Sequence, residues 1–247
     1  MSGYNSGRKK NWQQPKEFLM DNMSSELISN PLFSGLDHQR LAQLAQLSIS
    51  RSFPEGQWIT HYGSDWPYLF QVEDGLVTAL KESPEGRSLV VITLQAGEVF
   101  WGTGFFKEGL GMPVALVAKG DTRLRLWSRD KLDAFLVENG QFTWSLAQLM
   151  AERMLRASRI LEELAFQPVA GRLAHLLLEQ FQDQSGDTLT RDLTLDEMAA
   201  RIGSTREMVC RHLYQFADQG AIQINRTEFR ITDQDLLRSL ASKGKTA

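Results

Sequence analysis

Residues 194–213 read TLDEMAARIGSTREMVCRHL, and this stretch predicts two short helices joined by a tight turn. Thr194 is placed to cap the first helix, and Glu197 three residues later completes a capping box. Gly203 supplies the turn, where we expect a side chain to crowd the following helix. Ser204 or Thr205 then caps the second helix. This spacing is typical of a helix-turn-helix DNA-binding unit.

The outward face of the second helix carries side chains that can read bases. Arg206 and Arg211 can each donate two hydrogen bonds to guanine, and Glu207 can accept one from cytosine. A carboxylate would repel phosphate, so Glu207 favours base reading. The alternative is a solvated face on which Glu207 pairs with Arg211, four residues away.

A short hairpin, or wing, is predicted after this helix, because Ala221–Ile224 and Phe229–Ile231 flank a polar turn. Two arginines of this hairpin are candidates for phosphate contact. The full set of candidate DNA contacts is Thr205, Arg206, Glu207, Cys210, Arg211, Arg226 and Arg230. From Pro168 onward, acidic and basic residues are about equal in number, so we expect a focused patch whose affinity depends on dimerisation.

Cys210 has two interpretations on this face. Arginines nearby can lower a thiol pKa and make the side chain a redox switch. The alternative is a small spacer residue.

A long helix is predicted before this unit, ending where Gln167-Pro168 breaks the pattern. Its length of roughly 27 residues corresponds to about 40 Å and exceeds a small domain. Apolar residues recur on it at a spacing typical of a pairing seam. They are Ala147, Met150, Met154, Ala157, Leu161 and Leu164. We therefore expect this helix to pair with its own copy; packing within one chain is the alternative.

From Phe53 the pattern changes to short apolar runs separated by glycine-containing turns, which predicts a small β-roll. The predicted strands are Tyr68–Val72, Leu76–Leu80, Leu89–Leu94 and Arg123–Trp127. The turns between runs include Glu73–Gly75 and Lys119–Asp121. Asp183–Arg191 is expected to be a polar connection in the second domain.

The predicted fold class is therefore α+β, with an N-terminal β-roll, a long dimerisation helix and a C-terminal winged helix-turn-helix. The expected divisions are a flexible tail over residues 1–24, the roll over 25–138, the helix over 139–166 and the DNA-binding domain over 167–247.

Composition excludes several classes of protein. The chain has 247 residues, 27 Lys plus Arg against 30 Asp plus Glu, and a net charge of -3, which excludes a wholly basic nucleic-acid binder. Its one cysteine excludes internal disulfides and any multi-cysteine metal site, so we expect no metal. No apolar run of about 18 residues occurs, so we expect no membrane partner and a cytoplasmic protein.

In this order of parts the chain resembles the CRP/FNR family of bacterial transcription regulators, over nearly all of its length after about residue 25. The matching segments are Gly56-x-x-Ile59-x-His61-x-Gly63, Tyr68–Gly75, Leu94–Gly102, Leu164–Phe166 and Ser204–Arg211. The resemblance implies a homodimer on double-stranded DNA, with RNA polymerase as a further partner. Arg206, Glu207 and Arg211 are similar to the triplet that reads a TGTGA-type half-site in the cyclic-AMP receptor protein branch.

The segments that bind an effector depart from the family pattern. Gly102-Thr103-Gly104 stands where cyclic-nucleotide-binding members have Gly-Glu-Leu for the ribose. Pro113-Val114 stands where they have Arg-Ser for the phosphate, and Ala157 where a Thr contacts the adenine. A buried phosphate without a cation is badly stabilised, so the sequence argues against cyclic AMP.

Other cofactors and functions remain as alternatives. The single cysteine argues against an iron–sulfur cluster, and haem stays open because His61 lies in the predicted roll. The rival hypotheses are a regulator without an effector, controlled by its amount or by a protein partner, and a haem or small-molecule sensor. An enzyme has no support, since neither a catalytic triad nor a phosphate loop is recognisable.

Overall fold

The structure is a computed structural model, and it describes residues 30–182, 188–190, 193–224 and 228–242. The predicted tail over residues 1–24 and the candidate DNA contact Arg226 lie outside the described residues.

The first part of the described chain folds as a β-roll preceded by a helix. Its elements are a 3-10 turn (Pro31–Phe33), α1 (His38–Leu47), β1 (Ile49–Phe53), β2 (Trp58–Thr60), β3 (Tyr68–Glu82), β4 (Ser88–Leu94), β5 (Val99–Trp101), α2 (Thr103–Phe106) and β6 (Ala115–Ser128). The strands pair antiparallel in the order β1-β6-β3-β4, with β2 also on β6 and β5 also on β3. The expected roll is therefore confirmed.

Two of the predicted turns lie inside strands, so the prediction of separate short strands was wrong there. The segments 73–75 and 119–121 fall within the continuous strands β3 and β6, where the pairing register shifts. Gly75 has φ +79°, and an added Cβ would lie 2.6 Å from Thr122 Oγ1. The hydroxyl of Thr122 also donates to the Leu76 carbonyl at 3.0 Å. The glycines mark bulges that keep the two strands paired.

Two helices follow the roll, α3 (Arg129–Glu138) and α4 (Gly140–Phe166). Phe135 and Phe142 pack with Phe33 and Trp127 in an apolar cluster that is separate from the core inside the roll and lies against the outside of the sheet. The Trp127 indole donates to the Leu44 carbonyl at 2.8 Å, which ties α1 to β6. The N-terminal part of α4 is anchored on the roll by this cluster, and α4 runs the predicted 27 residues.

The C-terminal domain has its own apolar core. Its elements are α5 (Val169–Gln182), β7 (Thr188–Thr190), α6 (Leu195–Ile202), α7 (Arg206–Asp218), β8 (Ile222–Ile224), β9 (Glu228–Ile231) and α8 (Gln234–Ser242). The strands pair antiparallel in the order β7-β9-β8, so the predicted hairpin is confirmed. The interpretation of 183–191 as only a connection was wrong, because residues 188–190 pair with β9.

The C-terminal domain is docked on the roll through α6, which packs against β4. A hydrogen-bonded ion pair joins Lys119 Nζ of β6 to Glu197 Oε1 of α6, at 2.5 Å. In the described part of the chain, every helix is too short or too polar to span a lipid bilayer.

Candidate nucleic-acid interface

The first helix of the interface, α6, begins with the capping box that the sequence predicts. Thr194 Oγ1 accepts from the Glu197 backbone N–H at 3.2 Å, and Glu197 Oε2 accepts from the Thr194 N–H at 2.8 Å. Met198, Ala199 and Ile202 are buried in the domain core, so α6 is fixed both at its start and along one face.

The turn after α6 is made by Gly203 in the left-handed conformation, with φ +61°. An added Cβ would lie 2.6 Å from Leu164 Cδ2 and 3.2 Å from Leu89 Cδ1. The expectation that a side chain would crowd the following helix was therefore wrong about the neighbour. The crowding comes from α4 and β4, because the turn packs against both of them.

The recognition helix, α7, is capped by Thr205, whose Oγ1 accepts from the Met208 N–H at 3.3 Å. Of the two predicted caps, Thr205 is the one used. Val209, Leu213 and Phe216 are buried beneath the helix, which fixes which face points outward.

The outward face of α7 brings the predicted base readers together. Arg206, Glu207 and Arg211 are exposed, and Cys210 lies half-buried among them. Among the ion pairs of the described residues, none joins Glu207 to Arg211, so the alternative of a paired charged face has no support. The nearest acidic partner is on the other helix: Arg206 Nη1 bonds Asp196 Oδ2 at 3.1 Å.

Two residues near this face were missed by the sequence analysis. Asp196 lies in the first turn of α6, and its pairing with Arg206 depends on the angle between two helices. Tyr214 is 64% exposed and lies seven residues after Glu207, which places both on one side of the helix. The seven-residue spacing was the available signal for Tyr214. Asp196 had no such signal.

The wing places Arg230 on β9, opposite Gln223 of β8. Its side chain is exposed, as the predicted phosphate contact requires.

Electrostatics at the docked face of α6 centre on Glu197. Partial burial alone would raise the pKa of this carboxyl, but hydrogen bonds from Lys119 and from the Thr194 N–H and hydroxyl outweigh it, so the pKa is lowered. Nearby, burial lowers the pKa of Arg172, whose Nε donates to the Ile202 carbonyl at 2.8 Å. That bond holds α5 against the end of α6.

The candidate dimer seam is exposed on α4 except at one position. Ala147, Met150, Met154, Ala157 and Leu161 are exposed, whereas Leu164 is half-buried beside Gly203 in its own chain. Along this side of the helix, exposed residues recur without a gap at alternating separations of three and four positions. They are Trp144, Ala147, Ala151, Met154, Ser158, Leu161 and Ala165. The predicted seam omitted Trp144, which is 67% exposed, although the regular spacing from Ala147 backward was the signal for it.

The opposite flank of α4 is tied to the roll. Arg153 Nη2 bonds Glu98 Oε1 at 3.0 Å, and Phe142 and Leu146 are buried near the start of the helix. The exposed seam therefore faces away from the roll of the same chain.

The segment expected to correspond to an effector pocket is closely packed. An added Cβ on Gly102 would lie 1.8 Å from the Trp66 carbonyl, and one on Gly104 would lie 2.7 Å from Asp65 Oδ1. The Thr103 hydroxyl donates to the Gly111 carbonyl at 2.8 Å. Backbone and side-chain atoms therefore already occupy the space beside Gly102 and Gly104.

Neither residue at the expected phosphate position supplies a cation. Pro113 is exposed and carries no backbone N–H, while Val114 is buried in the core of the roll beside Met112. His61, the histidine considered for haem, is exposed and stacks on Trp58 with 5.0 Å between ring centroids. Over residues 30–182, 188–190, 193–224 and 228–242, no three His, Cys, Asp or Glu side chains cluster as a metal site would require.

Comparison with known proteins agrees with these two domains. The sequence of residues 50–139 matches the cyclic nucleotide-binding domain, and residues 171–240 match the Crp-like helix-turn-helix domain. A CRP-like cAMP-activated global transcriptional regulator of Mycobacterium tuberculosis is 28% identical, with 87% of this chain and 98% of that protein covered. The cyclic AMP receptor protein of Thermus thermophilus is 26% identical, over 86% of this chain and 97% of that protein.

A solved structure has the same fold. The crystal structure of a CRP/FNR-family regulator from Eubacterium rectale superposes with a TM-score of 0.70 at 22% identity, over 85% of this chain and 97% of that one. A roll of the cyclic nucleotide-binding type joined to a winged helix-turn-helix defines a DNA-binding transcription regulator. The chain belongs to the CRP/FNR family.

Proposed function

We propose that this chain acts as a homodimer that reads an inverted-repeat, TGTGA-like DNA site and is not controlled by cyclic AMP. Arg206 and Arg211 read guanines, and Glu207 reads a cytosine. The observation that carries the base-reading assignment is that these three exposed side chains share the outward face of a helix whose other face is buried. In a helix-turn-helix, the N-terminal part of such a helix enters the major groove.

Dimerisation is supported by the exposed apolar side chains of α4. Met154 and Leu161 are each 67% exposed, on a helix that carries an unbroken 3-4 spacing. Large apolar side chains in a continuous exposed stripe are typical of an interface. We place the seam on the exposed heptad that begins at Trp144, because Leu164 is already packed against the turn of its own chain.

Independence from cyclic AMP is supported by the residues at the ribose and phosphate positions. The Thr103 hydroxyl is already bonded to a backbone carbonyl, and neither Pro113 nor Val114 offers a cation. These residues do not fit a cyclic nucleotide, although the Mycobacterium and Thermus relatives are named for cyclic AMP.

A second candidate is a regulator with no small-molecule effector, controlled by its amount or by a protein partner. The burial of Trp66, Met112 and Val114 in the core of the roll, at or beside the expected effector segments, favours it. In either case the protein acts on DNA in the cytoplasm together with RNA polymerase, and we assign it no enzymatic activity, haem or iron–sulfur cluster.

Calorimetry and native mass spectrometry test this proposal together. The purified chain should have the mass of a dimer without a retained small molecule, and titration with micromolar cyclic AMP should give no saturable heat. Tight cyclic AMP binding would overturn the effector assignment, and a monomer mass at working concentration would overturn the dimer.

A further inference from the structure

Asp196 makes a contact that base reading by Arg206 does not require. Its Oδ2 lies 3.1 Å from Arg206 Nη1, with both side chains about two-thirds exposed: 68% for Asp196 and 66% for Arg206. The two residues come from different helices of the helix-turn-helix, so the pair connects α6 to the reading face of α7.

The position of Asp196 on α6 is fixed by its neighbours. It lies between the two residues of the capping box, Thr194 and Glu197, and the first turn of a helix favours a carboxylate. Its carboxylate therefore projects from a rigid element rather than from a loop.

The geometry of the Arg206 guanidinium decides which of its N–H donors remain available for a base once it bonds Asp196. Asp196 bonds only Nη1 of Arg206. The Nε–Nη2 edge is on the other side of the planar group, and an edge with two parallel N–H donors is what guanine O6 and N7 accept. A bond at Nη1 is thus compatible with a two-bond guanine contact, and it limits the rotamers that a free arginine would otherwise sample.

We propose that Asp196 is a positioning residue that orients Arg206 for guanine in the DNA site. The inference rests on the proposed assignment of Arg206 as a base reader. Orientation before binding reduces the entropy lost when Arg206 is ordered on DNA.

The proposal predicts that neutralising Asp196 has opposite effects on general DNA affinity and on discrimination between sites. Asp196 also places a negative charge near the phosphates, so its neutralisation strengthens binding to any duplex. Loss of orientation weakens discrimination at one base pair. An exposed pair of this kind corresponds to about a two- to five-fold effect per half-site.

The test uses the full chain and fluorescence anisotropy on three duplexes. They are a site that the wild type enriches from a random pool, the same site with the base pair read by Arg206 changed, and a scrambled duplex. The variants are Asp196→Asn, Asp196→Glu, Arg206→Ala and the double variant Asp196→Asn/Arg206→Ala. Asp235→Asn is the matched control, since Asp235 also lies in the first turn of a helix and bonds an arginine, Arg238, at 3.2 Å.

Asp196→Asn should bind the scrambled duplex more tightly and discriminate the changed base pair about two- to five-fold less well, while Asp196→Glu should retain discrimination. In the Arg206→Ala background, Asp196→Asn should change discrimination no further. Thermal melting should show that Asp196→Asn, Asp196→Glu and Asp235→Asn are all folded.

Three outcomes would overturn the proposal. If Asp196→Asn behaves like Asp235→Asn, the contact does not orient Arg206. If it tightens specific binding with discrimination intact, Asp196 competes with DNA instead. If Arg206→Ala discriminates every base pair like the wild type, the proposed base reading itself fails, and the positioning role fails with it.

Discussion

Arg206, Glu207 and Arg211 are placed by their helix rather than by bonds among themselves. Val209, Leu213 and Phe216 bury the opposite face of α7, so the charged side chains must point outward. Their side chains are exposed, so in the free protein solvent reaches the guanidinium and carboxylate groups that we propose as base readers.

Replacing either Arg206 or Arg211 with Ala should weaken binding to the selected site about 5- to 100-fold, because a good two-bond contact supplies about 1–3 kcal/mol of discrimination. Competition anisotropy against single-base variants should show relaxed preference at one base pair per half-site. Arg238→Ala, on α8 and outside the reading face, is the control. Equal losses on all sequences would instead identify the arginines as phosphate contacts.

At this scale the sequence predicts residues that act within one helix and misses those that act across two. The capping box of Thr194 and Glu197 follows from a three-residue spacing. The Asp196–Arg206 bond spans ten residues and depends on how the turn sets the second helix. Gly203 was predicted to turn, but the side chain it avoids belongs to α4, which no local pattern reveals.

At the scale of elements, the turn between α6 and α7 also joins the DNA-binding unit to α4. We expect Gly203→Ala to cost about 1–2 kcal/mol for the left-handed backbone. It should also carry a coupling with Leu164 of about 0.5–3 kcal/mol, because the new Cβ displaces that side chain. Urea unfolding should measure both.

Gly220→Ala is the matched control for this prediction. Gly220 has φ +78°, and an added Cβ meets nothing within 4 Å, so only the backbone cost applies. In a Leu164→Ala background the extra cost at Gly203 should fall, leaving only the longer contact with Leu89 Cδ1 at 3.2 Å. An unchanged extra cost there would show that α4 does not pack on the turn as described.

The long helix should be the element that makes the dimer. Replacing both Met154 and Leu161 with Glu places four like charges in a paired seam, and analytical ultracentrifugation should then show monomer. Val137→Glu is the control, because Val137 is 81% exposed but lies on α3. If the double variant remains a dimer, the interface does not lie at Met154 and Leu161.

In the strands, the local sequence pattern predicts the conformation of a glycine but not whether the strand ends there. Glycine at positions 75 and 120 was predicted to turn the chain, and both residues do have positive φ. Whether such a residue ends a strand or forms a bulge depends on its partner strand, and here β3 and β6 accommodate each other through Thr122. For α4, spacing was enough to predict the helix and the exposed positions of Met154 and Leu161, and the same spacing followed backward from Ala147 reaches Trp144.

At the scale of the whole molecule, the DNA-binding domain is docked on the roll, and the Lys119–Glu197 pair lies at the contact. The sequence predicts both domains but not this contact, which joins residues 78 positions apart. The same carboxylate that caps α6 accepts from the roll, so docking and the start of the helix-turn-helix share one group.

Because Glu197 takes part in both contacts, we expect the stability of the docked protein to depend on pH. The lowered pKa of Glu197 means that its contribution to stability is present above its unfolded pKa of about 4.3 and is lost as the pH falls through the folded value. Lys119→Ala should raise that pKa, measured by NMR titration, and should reduce the stability lost between neutral and acid pH. Amide exchange in α6 should also become faster. Lys131→Ala, on α3, should change none of these, and an unmoved Glu197 titration in Lys119→Ala would show that the ion pair does not form.

Selection from random duplexes, with the purified chain and no added nucleotide, tests the central claim most directly. Two recognition helices on one face of a dimer should enrich inverted half-sites about 10–11 base pairs apart, centre to centre. The preferences inside each half-site should weaken in Arg206→Ala and Arg211→Ala. Enriched sites without inverted symmetry, enrichment only when cyclic AMP is added, or selection unchanged in both arginine variants would contradict the account.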